Sequence, residues 1–195
     1  HAGASTAWPE FRGPSGDGHA DWSHPPLSWS ASENLTWECP IPGRGWSSPA
    51  VSEGRIWMAT ATEEGSSLRA ICVDAATGKL LWKTVIAAPR LGESTAAAPL
   101  VWGGVVYMGI GGSELGVRGR VMAYDAATGR ELWRFHTIPM GKETGAETWK
   151  RPESAKTGGG GVWGAMTLDV ATGELFVPVG NPWPDIDKAY RPGAN

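Results

Sequence analysis

Three side chains in this sequence could together hold a flat, oxygen-rich cofactor through a metal ion. Trp163 follows a glycine run, residues 158–161, with one valine between, and offers an indole face. Asn181 lies in a Gly-Asn-Pro turn made by Gly180, Asn181 and Pro182, and offers a neutral amide oxygen. Glu114, in the stretch GGSELGVRG, offers a carboxylate. Hard divalent cations take carboxylate and amide oxygens, and planar cofactors take an apolar wall with a few convergent polar groups. Each residue also has a plainer reading. Glu114 could be a turn carboxylate paired with Arg118 or Arg120, with Arg118 bracing the turn. Trp163 could be a core indole like Trp82 and Trp133. Asn before Pro is common in turns. The glycine run lacks the following lysine and the strand-loop-helix setting of a phosphate loop.

Bulk properties narrow the classes. The chain has 195 residues, enough for one sizeable domain. Its 17 Lys and Arg against 20 Asp and Glu give a net charge of -3, without the basic excess of a nucleic-acid binder. No run approaches the roughly 20 apolar residues of a membrane helix. The chain opens on His1, so a processed or cut start is expected, and the lack of a leader says nothing about location. His1, His19, His24 and His136 show no ligand spacing. Cys39 and Cys72 stand 33 residues apart and fit neither a zinc nor a CxxC pattern. A disulfide and two buried free thiols both fit them. Counts of 28 Gly, 15 Pro and 12 Trp point to short strands, tight turns and indoles packed between sheets.

Positioning the three side chains is the task of a repeat. Residues 1–36 read as an irregular lead-in crowded with Pro and Gly, with Trp8, Phe11, Trp22 and Trp29 expected as plugs against the body. Residues 37–195 read as repeating units at about 47–83, 97–135 and 157–195. Pro49 matches Pro99, Gly54 matches Gly104, Asp74 matches Asp125, Thr77-Gly78 matches Thr128-Gly129, and Trp82 matches Trp133. The period is 50 residues at the prolines and 51 at the aspartates. A more divergent unit contains Asp169, Thr172 and Gly173. In the second unit PLVW, VVYMGI, VMAYD and ELWRF read as strands. In each DAATG turn the Asp can accept its own turn's N–H groups and the Gly can take positive φ. The Trp four residues later could dock between units. Glu63 and Glu64 read as a solvated hairpin tip. A four-stranded repeat of this length is the signature of a β-propeller blade.

These D-x-x-T-G-x-x-x-W repeats resemble the pyrroloquinoline-quinone-type β-propellers. GGSELGVRGRVMAYDAATGRELWRF, TGGGGVWGAMTLD and VPVGNPWPDIDKAYRPGAN resemble segments of the quinoprotein alcohol dehydrogenases, over about residues 94–195. Residues 8–93 look more like secreted non-enzymatic proteins with the same repeats. The resemblance implies an all-β, PQQ-type propeller of which this chain holds about two to three blades of an eight-bladed ring, so a longer parent chain is expected. It also implies Glu114 and Asn181 as metal ligands, Trp163 flat against the quinone, and Gly112, Ser113 and Gly161 bordering it. The implied activity is oxidation of an alcohol, sugar or polyol by hydride transfer to pyrroloquinoline quinone held with a calcium or lanthanide ion. A cytochrome or membrane quinone would accept the electrons, in a periplasmic or secreted setting. Several departures stand out. Family members carry a catalytic Asp downstream of R-P-G-D-N; here that segment ends at Asn195 with Ala194 in place of the Asp, so the base is expected beyond the chain. The adjacent-cysteine disulfide common over the quinone is missing, and Arg44, Gly45 and Trp46 stand in the first unit instead. A Thr that often contacts the quinone appears as Ala96, with Thr95 beside it. The alternative is a non-catalytic propeller of the same repeats, acting as a binding or assembly scaffold. No acid-base constellation suggests a propeller hydrolase or lyase.

Overall fold

The structure, a computed structural model, describes residues 7–20, 25–62, 64–187, 189–190 and 192. Trp22, His24, Glu63, Arg191, Gly193, Ala194 and Asn195, like His1, lie outside the described residues. Two antiparallel four-stranded sheets dominate. The first runs in order through β1 (Ala50–Ser52), β2 (Arg55–Ala61), β3 (Leu68–Asp74) and β4 (Leu80–Ala87). The second runs through β5 (Leu100–Trp102), β6 (Val105–Ile110), β7 (Arg120–Asp125) and β8 (Glu131–His136). A two-stranded hairpin, β9 (Thr167–Asp169) and β10 (Glu174–Phe176), follows. Among the described residues the only helices are short 3-10 turns. Both sheets carry a register shift between their third and fourth strands, after Cys72 opposite Trp82 and after Ala123 opposite Trp133. The repeat in sequence is therefore a repeat in backbone register.

The DAATG turns form as their chemistry dictates. Asp74 Oδ1 accepts the Ala76 and Thr77 N–H groups and the Thr77 hydroxyl, at 3.1, 2.8 and 2.7 Å. Asp125 does the same with Ala127 and Thr128. The threonine hydroxyl, then the backbone donors, hold both carboxyls below the usual range. Gly78 and Gly129 take φ values of 69° and 73°. They also seat an indole. A Cβ on Gly129 would lie 2.5 Å from the Trp82 ring, and Trp82 Nε1 donates to the Ala126 carbonyl at 3.0 Å. Trp37, which precedes the first unit, does the same on Gly78 and Ala75. Trp133 does not repeat this on the third turn: nothing lies within 4 Å of a Cβ on Gly173, and Trp133 packs near Tyr107 with ring centroids 6.0 Å apart.

Alternation along the strands splits the core into layers. Trp57, Cys72, Val106, Met108, Met122 and Tyr124 fill the layer between the two sheets. Leu100, Val121, Val162 and Met166 pack the second sheet against the third unit. The lead-in is pinned at Trp8 and Pro9. Trp8 exchanges backbone hydrogen bonds with Val51 on β1, and the Pro9 carbonyl accepts the Val101 N–H of β5. The other expected plugs are corrected where described, since Phe11 and Trp29 are both exposed.

Both cysteines are free. Cys39 is only half-buried, which corrects the pair of buried thiols, while burial pushes the Cys72 thiol up to about 11. Thiolate is the reacting form. Native protein at neutral pH should therefore take up iodoacetamide at Cys39 and leave Cys72 unmodified until it unfolds. Peptide mapping that found Cys72 alkylated first would contradict this packing.

Candidate functional site

The Glu114 turn is built on glycine. Gly111 exchanges backbone hydrogen bonds with Ser94, at 2.9 and 3.2 Å. Gly112 then takes φ 112° and opens a 3-10 turn, Ser113–Leu115, which Gly116 closes with φ 74°. Within that turn Ser113 points inward, 5% exposed, and Glu114 points out to solvent. Among the described residues Glu114 makes no hydrogen bond or ion pair. The pairing of Glu114 with Arg118 or Arg120 does not form, because both arginines are engaged elsewhere, and Glu114 stands as a solvated turn carboxylate. Arg118 donates to the Ile138 carbonyl at 2.6 Å and pairs with Glu143. Arg120 pairs with Glu93 and donates to the Ile86 carbonyl at 3.2 Å.

The glycine run joins this turn to Asn181. On one side Gly159 donates to the Val117 carbonyl at 2.8 Å, Gly161 to the Ser113 hydroxyl at 2.8 Å, and Val162 to the Ile110 carbonyl at 2.8 Å. On the other, Gly160 donates to the Asn181 carbonyl at 2.7 Å, and the Gly161 carbonyl accepts from Gly180 at 2.9 Å. Side chains would not fit between these neighbours. A Cβ on Gly161 would sit 2.7 Å from Ser113 Oγ, and one on Gly159 2.3 Å from the Trp183 nitrogen. The run is thus a narrow backbone spacer, and its two edges are the turns that present Glu114 and Asn181.

Trp163 emerges from the end of this spacer and is 64% exposed. Its Nε1 would lie 3.2 Å from a Cβ on Gly180, beside Asn181. With Phe11, Trp46, Ser48, Ala165 and the alanines at 96–98 it lines a groove of about 180 Å³. Thr95, next to that lining, has a buried hydroxyl with no hydrogen-bond partner among the described residues. Asn181 is exposed, and the Trp183–Pro184 peptide after it is cis.

Buried electrostatics brace the same region. The Glu93 and Arg120 side chains are 11% and 10% exposed. Burial by itself would raise the Glu93 carboxyl, but the Arg120 hydrogen bond, the Ala88 N–H and the guanidinium charge outweigh it and hold the carboxyl below its usual range. The unfolded chain therefore takes up this proton first. Stability from Glu93 is fully present above the free glutamate value, about 4.3, and is lost as pH falls through the lower folded value. Melting curves should show an acid limb over that window, and Glu93→Gln should flatten it. An unchanged limb in Glu93→Gln would contradict the pairing.

Glu114 and Asn181 supply hard oxygens, Trp163 a flat wall, and Thr95 an orphaned hydroxyl, so the residues fit a hard cation shared with a planar oxygen-rich ligand. Among the described residues no group of three or more His, Cys, Asp or Glu could hold a metal alone. The sequence pointed to Glu114, Trp163 and Asn181 and noted Thr95, but gave no sign of the Glu93 pairing or the Trp37 seat. The register with Trp82 and Trp133, each following a D-x-x-T-G turn, was the signal that could not reach Trp37, which has no such turn before it.

Four-stranded units joined by indole-seated turns define a PQQ-type β-propeller. The family model "Glucose/ethanol/alcohol dehydrogenase, beta-propeller domain" matches residues 89–195, and the chain belongs to that family. It is 42% identical over 127 residues, 59% of its length, to quinohemoprotein alcohol dehydrogenase ADH IIB of Pseudomonas putida, and covers 18% of that protein. It is 32% identical over 179 residues, 83% of its length, to the lanthanide-dependent methanol dehydrogenase of Methylacidiphilum fumariolicum, and covers 28% of it. Among solved structures, a europium-containing methanol dehydrogenase superposes with a TM-score of 0.65 at 33% identity, over 80% of this chain and 28% of that one. The chain thus spans about a fifth to a quarter of the length of its relatives.

Proposed function

We propose that the protein carrying this chain is a quinoprotein dehydrogenase that oxidises an alcohol, sugar or polyol. The observation behind this reading is the glycine spacer that fixes the Glu114 turn to the Asn181 turn and ends at an exposed Trp163. Glu114 and Asn181 would hold a calcium or lanthanide ion, and Trp163 would offer its face to pyrroloquinoline quinone. The quinone would supply a hydride acceptor and the cation Lewis-acid polarisation, with this chain's residues holding both. Gly112, Ser113 and Gly161 would border the ring, and the Gly161 N–H donates to the Ser113 hydroxyl, which fixes that side chain. The glycine spacer ties the Glu114 and Asn181 turns together, which would hold the two oxygens ready for a cation before it binds. The substrate proton is assigned to no described residue. Electrons would leave for a cytochrome or a membrane quinone, in the periplasm or outside the cell. Exposed apolar side chains on β8 and β10, including Leu132, Phe135 and Phe176, suit further blades of the ring.

The first unit favours a second reading, a non-catalytic scaffold, because Arg44, Gly45 and Trp46 replace the adjacent cysteines. Reconstituting the full-length protein with calcium or a lanthanide and then the quinone separates the two. Stoichiometric cation-dependent binding with dye reduction by alcohols is expected from the enzyme. A folded protein that binds no quinone with either cation would be a scaffold.

A further inference from the structure

Trp46 is 93% exposed, an unusual position for the largest apolar side chain. Its backbone is held on a fixed segment. Arg44 exchanges backbone hydrogen bonds with Ala61 at the end of β2, at 2.6 and 2.8 Å. The buried Thr60 hydroxyl lies 3.0 Å from the Pro42 carbonyl and 3.2 Å from that of Arg44. Glycines flank Arg44 because the segment lies against β2. A Cβ on Gly43 would fall 1.7 Å from the Ala61 oxygen, and one on Gly45 2.6 Å from the Ala59 oxygen. On the far side of Trp46, the Ser47 hydroxyl donates to the Ala97 carbonyl at 3.2 Å. The indole is thus delivered by a pinned backbone into the groove that Trp163 enters.

Trp46 and Trp163 reach that groove from different blades. Trp46 comes from the segment on β2, and Trp163 follows Val162, whose N–H bonds the last residue of β6. Small side chains, Ser48, Ala96 and Ala98, line the groove between them and leave the aromatic faces as its main features. At about 180 Å³ it is smaller than the roughly 300 Å³ of a complete drug-sized pocket, so these residues form one part of a larger site.

We infer that Trp46 is a second aromatic wall of the quinone site, so that the ring is held between indoles from two blades. This rests on the quinone reading above and assigns a residue that reading does not use. Aromatic stacking is tolerant of ring type and strong enough to measure, which suits a planar ligand whose polar edges are met by Glu114, Asn181 and the cation.

The test uses full-length protein with calcium or a lanthanide, titrated with pyrroloquinoline quinone and read by quinone absorbance and tryptophan quenching. Trp46→Ala should weaken quinone binding on the order of ten- to a hundred-fold. Its melting temperature should hold, since so exposed a ring contributes little packing. Trp46→Phe should restore most of the affinity. If Trp46→Ala binds quinone as the wild type does, this inference is wrong while the function above stands. If the wild type binds no quinone with either cation, that function fails and Trp46 falls with it.

Discussion

Glu114→Ala is expected to lower cation-dependent quinone affinity by more than about a hundred-fold, with the melting temperature unchanged. The first half follows from chemistry: losing even an outer-shell partner of a metal ligand costs roughly 10- to 100-fold in affinity, and losing the charged ligand costs more. The second half follows from the structure. Glu114 faces solvent and bonds no described residue, while its neighbour Ser113 does the structural work through Gly161. Surface substitutions of that kind shift stability within about 0.5 kcal/mol. Glu114→Gln separates charge from shape, since it keeps an amide oxygen at the same reach. Quinone titration at fixed calcium or lanthanide, with a melting curve for each variant, checks both halves. A variant that melted early would show a structural Glu114, and one that bound quinone normally would remove it from the site.

Gly112→Ala should produce a large structural effect at the candidate site itself. Two independent barriers meet at this residue. Its φ of 112° is a conformation that L side chains rarely adopt. A Cβ there would also fall 2.1 Å from the Gly92 carbonyl oxygen, a backbone atom that cannot rotate away. Overpacking and backbone strain of this kind cost about 3 kcal/mol. The displaced turn carries Ser113 and Glu114, so quinone affinity should fall together with stability, unlike in Glu114→Ala. Denaturant unfolding gives the first quantity and quinone titration the second. Wild-type stability in Gly112→Ala would mean that the Gly92 and Gly112 segments do not meet as described.

Much of the fold is legible because its turns are local. Asp74 and Asp125 bind donors two and three residues away, and Gly78 and Gly129 supply positive φ in the same turn. Such chemistry depends on spacing alone. The second unit's strands likewise fall within a residue of the alternating apolar runs that mark them. What the sequence hides is long-range. Glu93 and Arg120 lie 27 residues apart and Arg118 and Glu143 25, and no spacing rule pairs them. The glycine run carries no side chain to mark its place in the sequence, yet its residues are fixed because backbone and side-chain atoms of neighbouring segments, among them Val117, Pro182, Thr137 and Ser113, approach too closely for a Cβ. Composition suggested that aromatic residues in the lead-in were plugs, but burial is decided by what lies opposite. Trp8 found β1, whereas Phe11 remained at the groove. The Glu114, Trp163 and Asn181 reading drew on family resemblance for their roles; the structure adds the glycine spacer that links their segments.

The most direct measurement is a crystal of the full-length protein soaked with a lanthanide and the quinone, with the metal located by its anomalous signal. The account predicts one strong peak about 2.3–2.6 Å from both the Glu114 carboxylate and the Asn181 amide oxygen, with quinone density on the Trp163 face. A peak bound by other residues, or quinone density away from Trp163, would contradict it.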